Sequence, residues 1–378
     1  MDHKQLDIAY TVLDLIQNCF VPNQTEFAFT PDGNTYEQLC AAAESLGISA
    51  LTAFSLKKKG IVTPELQVTL ARAQRRALLL DAEYRKISKA LKEAHIRHLP
   101  VKGIVIKDLY PSVGLREMSD IDIWFDPSRA ESVRSIMTAL GYSTEYFGTS
   151  KHDVYLKPPM FCVEMHRQLI DGDVLPEGID YYNDQWEKLN RTRKDKEYVL
   201  EQSHEDLYVY VAAHAYKHYL IAGVGIRVLL DFYVMLHEWG SDMDMSYIAK
   251  ECQKLGIADF ENLIRRISEH LFDRQSLNRQ DKLRLDEFIC SDIHGNMQQY
   301  YANAIGKSKN KRSYIISRLK TTDDQLRNHP FLSRHKALRP FYFPVRLTDA
   351  LFKRRKMLKT ELKTLYRYNK NHDKKDPE

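Results

Sequence analysis

Cysteine is scarce. The five in 378 residues (Cys19, Cys40, Cys162, Cys252 and Cys290) are odd in number, widely scattered and without a C-x-x-C pair, which argues against both a disulfide framework and a zinc knuckle. Buried free thiols are the expected reading. No stretch approaches the roughly 18 uninterrupted apolar residues that a membrane span requires. The opening MDHKQLDIAY carries Asp2 and Asp7 where an export signal would have a basic start followed by an apolar run, so the cytoplasm is the expected compartment. Internal repeats and low-complexity tracts are also absent.

What is present suits a globular protein with room for a sizeable core. Hydrophobic residues make up 43% of the chain and charged residues 28%, and the length fits two domains of roughly 100–200 residues with an appended segment. The net charge of +5 hides an asymmetry. Lys307 to Glu378 hold 21 Lys and Arg against 7 Asp and Glu, while the rest of the chain holds 35 against 44. Such a basic segment can be a solvated helical face with a frayed end. It can equally attract a phosphate-rich partner, such as RNA or an anionic surface, through a field that salt screens.

Apolar periodicity divides the chain. Residues 1–95 read as helical, with stripes such as Leu6, Tyr10, Leu13 and Ile16. The best-marked helix begins at Thr63-Pro64-Glu65, where Thr63 caps, Pro64 suits the first turn and Glu65 complements the helix dipole. It continues to about Ala94. Residues 96–200 read as a small α/β unit, with strands expected at HLPVKG, ended by Gly103, and at IDIWF, YSTEYF, HDVYLK and FCVEMH. Asp126-Pro127 is expected to start a helix whose Val133, Ile136, Met137 and Leu140 share a face and which Gly141 stops. Helical periodicity returns over 201–305, and 306–378 form the basic segment, whose last ten residues are expected to be disordered.

The chemistry concentrates on carboxylates. Asp120 and Asp122 lie at i and i+2 on a strand, so both point to one face, about 6–7 Å apart along the chain, while Ile121 and Ile123 face the core. That spacing suits hard divalent cations, which carboxylate oxygens and substrate phosphates hold together. A D-x-D alone is more often solvated or salt-bridged. The strand-like FCVEMH offers Glu164 as a third carboxylate, with an edge-strand charge or an ion pair to Arg167 as its alternative. His166 shares the Glu164 face. His214 and His218 lie one helical turn apart, but with no third ligand beside them a non-metal role is preferred. For His152 and His166 the choice stays open.

The run LPVKGIVIKDLYPSVGLREMSDIDIWF, with Glu164-Met165-His166, Lys217-His218 and Gly225-x-Arg227-x3-Asp231 further on, resembles the bacterial family of uncharacterised nucleotidyltransferases in the polymerase-β-like superfamily. The resemblance covers about residues 95–235. It implies an α+β fold, with a small mixed β-sheet core flanked by N-terminal and C-terminal helical regions, the 201–305 region closing a cleft. It implies Mg²⁺, as two ions with Mn²⁺ as a substitute, held by Asp120, Asp122 and Glu164. A nucleoside triphosphate would be positioned by Lys102, Gly103, Arg116 and Ser119, with His166, Lys217, His218 and Arg227 lining the cleft. Arg227 has an i,i+4 ion pair with Asp231 as its alternative. Sixteen residues separate Gly103 from Asp120, more than in most of the superfamily, and Ile104 follows the glycine where a second small residue is usual. The implied reaction is transfer of a nucleoside monophosphate to an acceptor hydroxyl with release of pyrophosphate. A small molecule is the favoured acceptor. The rivals are a toxin-type enzyme acting on transfer RNA or protein, and an inactive nucleotide-binding module.

Overall fold

A computed structural model describes residues 3–20, 33–148, 150–170, 172, 174–192, 197–273 and 275–291, with isolated positions between 301 and 364. Most of the basic segment, including its last ten residues, lies outside the described residues. The chain is α+β, mostly helical, with one five-stranded sheet and helices before and after it.

Four helices come first: α1 His3–Phe20, α2 Gly33–Leu46, α3 Ser49–Lys58 and α4 Pro64–Glu93. The Thr63 hydroxyl accepts from the Leu66 amide at 3.3 Å, so the cap read from sequence forms. Leu80, Ile87 and Leu91 are buried along one face of α4, a spacing of three to four residues that turns a single stripe inward.

The sheet then assembles from β1 His98–Val101, the four-residue helix α5 Gly103–Ile106, β2 Ile121–Phe125, α6 Ala130–Ala139, β3 Ser143–Tyr146, β4 His152–Lys157 and β5 Phe161–His166. Its order is β1-β2-β5-β4-β3. β2 and β5 run parallel and the other neighbours antiparallel, so the sheet is mixed. Strand alternation sorts the side chains. Ile121, Ile123, Phe125, Val163, Met165 and Tyr155 point to one face, where they join Leu80, Ile87 and Leu91 of α4 and Val133 and Met137 of α6 in the core. Asp122, Trp124, Glu164, His166 and His152 belong to the opposite face. The outer edge of β1 is occupied by residues 198–200, because the His98 amide donates to Tyr198 O and the Leu200 amide to His98 O, which protects that edge from further pairing.

Helices α7 Pro176–Thr192, α8 His204–Ala222, α9 Arg227–Trp239, α10 Met245–Lys254, α11 Ala258–Phe272 and α12 Arg279–Ile289 follow. Helix α1 meets the later helices of this series. Gln17 of α1 donates to Leu271 O at 2.7 Å, Tyr10 donates to Asp286 at 2.6 Å, and Phe20 packs edge-on to Tyr110, Tyr233 and Phe272. Contacts divide the chain into two units, residues 1–217 with 225–293, and residues 218–224 with 294–378. In the second, the buried Tyr314 hydroxyl donates to Glu361 at 2.7 Å. No helix among the described residues is long and apolar enough to cross a membrane.

The α4 face predicts a contrast. Ile87→Ala removes a wholly buried side chain between helix and sheet and is expected to cost about 2–5 kcal/mol in urea unfolding. Leu78→Ala, on the exposed side of the same helix, is expected to change stability by less than about 0.5 kcal/mol.

Candidate active site

Parallel pairing brings Asp122 of β2 into register with Glu164 of β5, and adjacent strands lie about 4.8 Å apart. Asp120 stands just before β2, so the three carboxylates read from sequence converge on one face of the sheet. Their electrostatics record the crowding. Burial and then the Asp122 charge raise the Asp120 carboxyl, and the same two causes push Glu164 up to about 7. Asp122 goes the other way: burial pushes it up, but the Lys102 charge and a hydrogen bond from His166 outweigh that and hold it well below the usual range. Lys102 Nζ is 2.5 Å and His166 Nε2 2.7 Å from Asp122 Oδ1.

Lys102 reaches that position through an unusual turn. Its backbone has φ 56° and ψ −125° between the end of β1 and the start of α5, a conformation that costs a non-glycine residue about 1–3 kcal/mol. The positive-φ residue of this turn is therefore Lys102, not Gly103. Gly103 is required for a different reason, since a Cβ there would overlap Arg116 Nη1 and stand 3.0 Å from Met118 Sδ. Two further lysines approach. The charges of Lys151, Lys102 and Lys217, after burial, help hold His152 down to about 4. Burial brings His166 to about 3, against the pull of its Asp122 hydrogen bond. Both imidazoles are neutral at pH 7.

Arg116 is engaged elsewhere. Its Nε and Nη2 donate to Asp231 of α9 at 2.7 and 2.8 Å, a two-pronged pair that the Tyr110 hydroxyl completes at 2.8 Å. Burial lowers the Arg116 guanidinium and Asp231 more than restores it. Arg227 does not form the in-helix pair with Asp231. Its Nη1 donates to Glu117 O at 3.1 Å, while the Glu117 carboxylate accepts from the Ala50 amide of α3. Arg76 of α4 donates to Met118 O at 2.6 Å and Ser119 O at 3.2 Å. The neighbouring Ser119 hydroxyl partly offsets the rise of the Asp120 carboxyl. The loop before Asp120 is thus gripped from α3, α4 and α9.

The structure gathers Asp120, Asp122, Glu164, Lys102, Ser119 and His166, with Lys217 within electrostatic reach. Arg116, Gly103 and Arg227 frame this group. His218 lies near the end of α8, in the second unit. Sequence reasoning missed Lys151, which no motif marks, and Arg76, because no chemistry was read in the first 95 residues. It also missed Tyr210 of α8, a wholly buried residue whose hydroxyl has no hydrogen-bond partner and feels the charges of Asp122 and Glu164. The alternative partner for Glu164 goes elsewhere too, since Arg167 pairs with Asp153 at 2.8 Å.

Replacing Asp231 by Asn leaves the buried Arg116 without its counter-ion and is expected to destabilise the fold by about 3–5 kcal/mol. Thermal or urea unfolding measures it, and a loss below about 1 kcal/mol would show that the pair does not hold α9 to the loop.

Neither the curated proteins nor the solved structures provide a match to this chain. A family model described as uncharacterised nucleotidyltransferase matches residues 32–273, well over half of the chain, including every strand of the sheet and all three carboxylates. The chain belongs to that family.

Proposed function

We propose that this member of the uncharacterised nucleotidyltransferase family is an active, Mg²⁺-dependent enzyme that transfers a nucleoside monophosphate from a nucleoside triphosphate to the hydroxyl of a small-molecule acceptor. The observation that carries the reading is the convergence of Asp120, Asp122 and Glu164 on one sheet face, two of them with raised carboxyls. Repelling acids in a partly buried site cost stability unless a cation joins them, and an all-oxygen donor set of this kind fits Mg²⁺. When bound, Mg²⁺ neutralises charge that develops on the phosphates and lowers the pKa of the attacking hydroxyl.

The protein groups divide the remaining work. Asp120 and Asp122 hold the cation, Ser119 fixes the Asp120 carboxylate, and Glu164 shares in holding the cation and accepts the acceptor's proton at a carboxylate oxygen. Lys102, Lys151 and Lys217, whose charges all reach His152, bind the triphosphate as point charges. Arg116 supports the site from behind through Asp231. In the transfer the acceptor oxygen bonds to the α-phosphorus, the bond from that phosphorus to the bridging oxygen breaks, and pyrophosphate leaves with the electron pair.

Pyrophosphate release from the four ribonucleoside triphosphates, with Mg²⁺ and a cell extract as acceptor source, tests the reading. Asp120→Asn and Asp122→Asn are each expected to lower release by at least about a hundredfold, the scale of losing one preorganised electrostatic contact; unchanged release in either variant refutes the assignment.

Cation binding should also be linked to pH. In the cation-free protein the Glu164 carboxyl, lifted to about 7, is protonated at pH 6, so a cation that takes Glu164 as ligand must displace that proton. Calorimetry in buffers of different ionisation enthalpy is expected to show release of about one proton at pH 6, fading to none above pH 8, with affinity rising over the same interval. Absence of release at pH 6 would remove Glu164 from the ligand set.

A further inference from the structure

Glu164 stands between the carboxylates and a second kind of donor. His152 and His166 are directly paired across β4 and β5 and so project to the same face, with ring centroids 5.1 Å apart. His152 Nε2 is 3.7 Å from Glu164 Oε1, and His166 Nε2 is 3.5 Å from Glu164 Oε2. The ligand atoms of His152, Glu164 and His166 all lie within 4.8 Å of one another.

We propose that His152, Glu164 and His166 form a mixed nitrogen–oxygen site that takes a transition-metal dication such as Mn²⁺ in preference to Mg²⁺, at the β4–β5 end of the carboxylate cluster. Neighbouring donors of one ion with bonds of about 2.1 Å stand about 3.0 Å apart in octahedral and about 3.4 Å apart in tetrahedral geometry, so the two gaps observed need to close by only a few tenths of an ångström. Imidazole favours transition metals, whereas Mg²⁺ prefers oxygen ligands and keeps its waters. Both rings are neutral at pH 7, as ligands must be. In the cation-free arrangement Nε2 of His166 contacts Asp122 Oδ1; with the ring proton on Nδ1 instead, Nε2 turns a lone pair toward the same carboxylates.

An independent feature points to an occupant. The Tyr210 hydroxyl is wholly buried and without a hydrogen-bond partner, in a place reached by the charges of Asp122 and Glu164. Two imidazoles with one carboxylate leave several coordination positions open, so substrate oxygen can join them. The inference rests on the reading of Glu164 as a cation ligand but not on turnover.

The test uses the full chain, stripped of metal and titrated with Mn²⁺ in the absence of nucleotide. Electron paramagnetic resonance is expected to show bound Mn²⁺ with nitrogen couplings from imidazole, and displacement by Mg²⁺ only at an excess of about a hundredfold or more. His152→Ala, at a partly exposed position, is expected to lose one coupling and weaken Mn²⁺ binding by about tenfold or more. Bound Mn²⁺ without nitrogen coupling, or no binding, would overturn the proposal. The wild-type spectrum decides this even if the variant fails to fold. Pyrophosphate release with Mg²⁺ decides the transfer reading separately: release without nitrogen coupling leaves a carboxylate-only enzyme, and coupling without release leaves the metal site standing alone.

Discussion

The parallel pairing of β2 with β5 is the constraint from which the remainder of the architecture follows. Parallel neighbours cannot be joined by a tight turn, so the chain must leave one edge of the pair and return. The segment between them does so with α6 on the core face and the β3–β4 hairpin, which then pairs antiparallel to β5 and extends the sheet. The register of that one pair sets Asp122 beside Glu164 and Trp124 beside His166. A slip of one residue would send the carboxylates into the apolar layer under α4 and α6 and bring Ile121 and Ile123 out. The burial of those isoleucines therefore fixes the geometry of the acids on the other side.

Charge compensation forms a second tier. Acids brought together by strand pairing need nearby positive charge, and Lys102 supplies it from a backbone conformation that ordinarily favours glycine. The adjacent Gly103 leaves room for the Arg116 guanidinium, whose other edge is held by Asp231. One lysine and one glycine at the β1–α5 junction thus serve two different ion pairs. The short β1 strand links both of them to the neighbouring β2 through its backbone ladder.

Local signals were legible in the sequence, and long-range ones were legible only in part. Thr63-Pro64-Glu65 marked the start of α4 because a capping hydroxyl and a first-turn proline act within four residues of chain. Apolar period and alternation located α6 and the five strands for the same reason, with the difference that the first turn after Asp126 is a 3₁₀ segment before α6 begins. The D-x-D spacing announced two carboxylates on one face, since alternation is a local property. Partnerships were harder. Arg227 and Asp231 are ideally spaced for an in-helix pair, yet the buried Asp231 is taken by Arg116, 115 residues earlier, which meets it with a two-pronged guanidinium contact. Lys151 and Tyr210 belong to no motif and enter the site only through the fold. Arg76 was hidden because its role is to bind two backbone carbonyls, a function that leaves no pattern in a sequence.

That grip of Arg76 gives the segment before Asp120 an unusual place among the protein's fluctuations. Loops near binding sites commonly open by themselves at small free-energy cost, ahead of the surrounding framework. Here the segment before Asp120 is tethered to the middle of a thirty-residue helix that buries Leu80, Ile87 and Leu91 in the core, and tethered again through Glu117 to α3 and α9. For this segment to detach, three anchors must be released together. Its breathing is therefore tied to that of the framework, and the site's position is held with a rigidity that belongs to the scaffold more than to the loop.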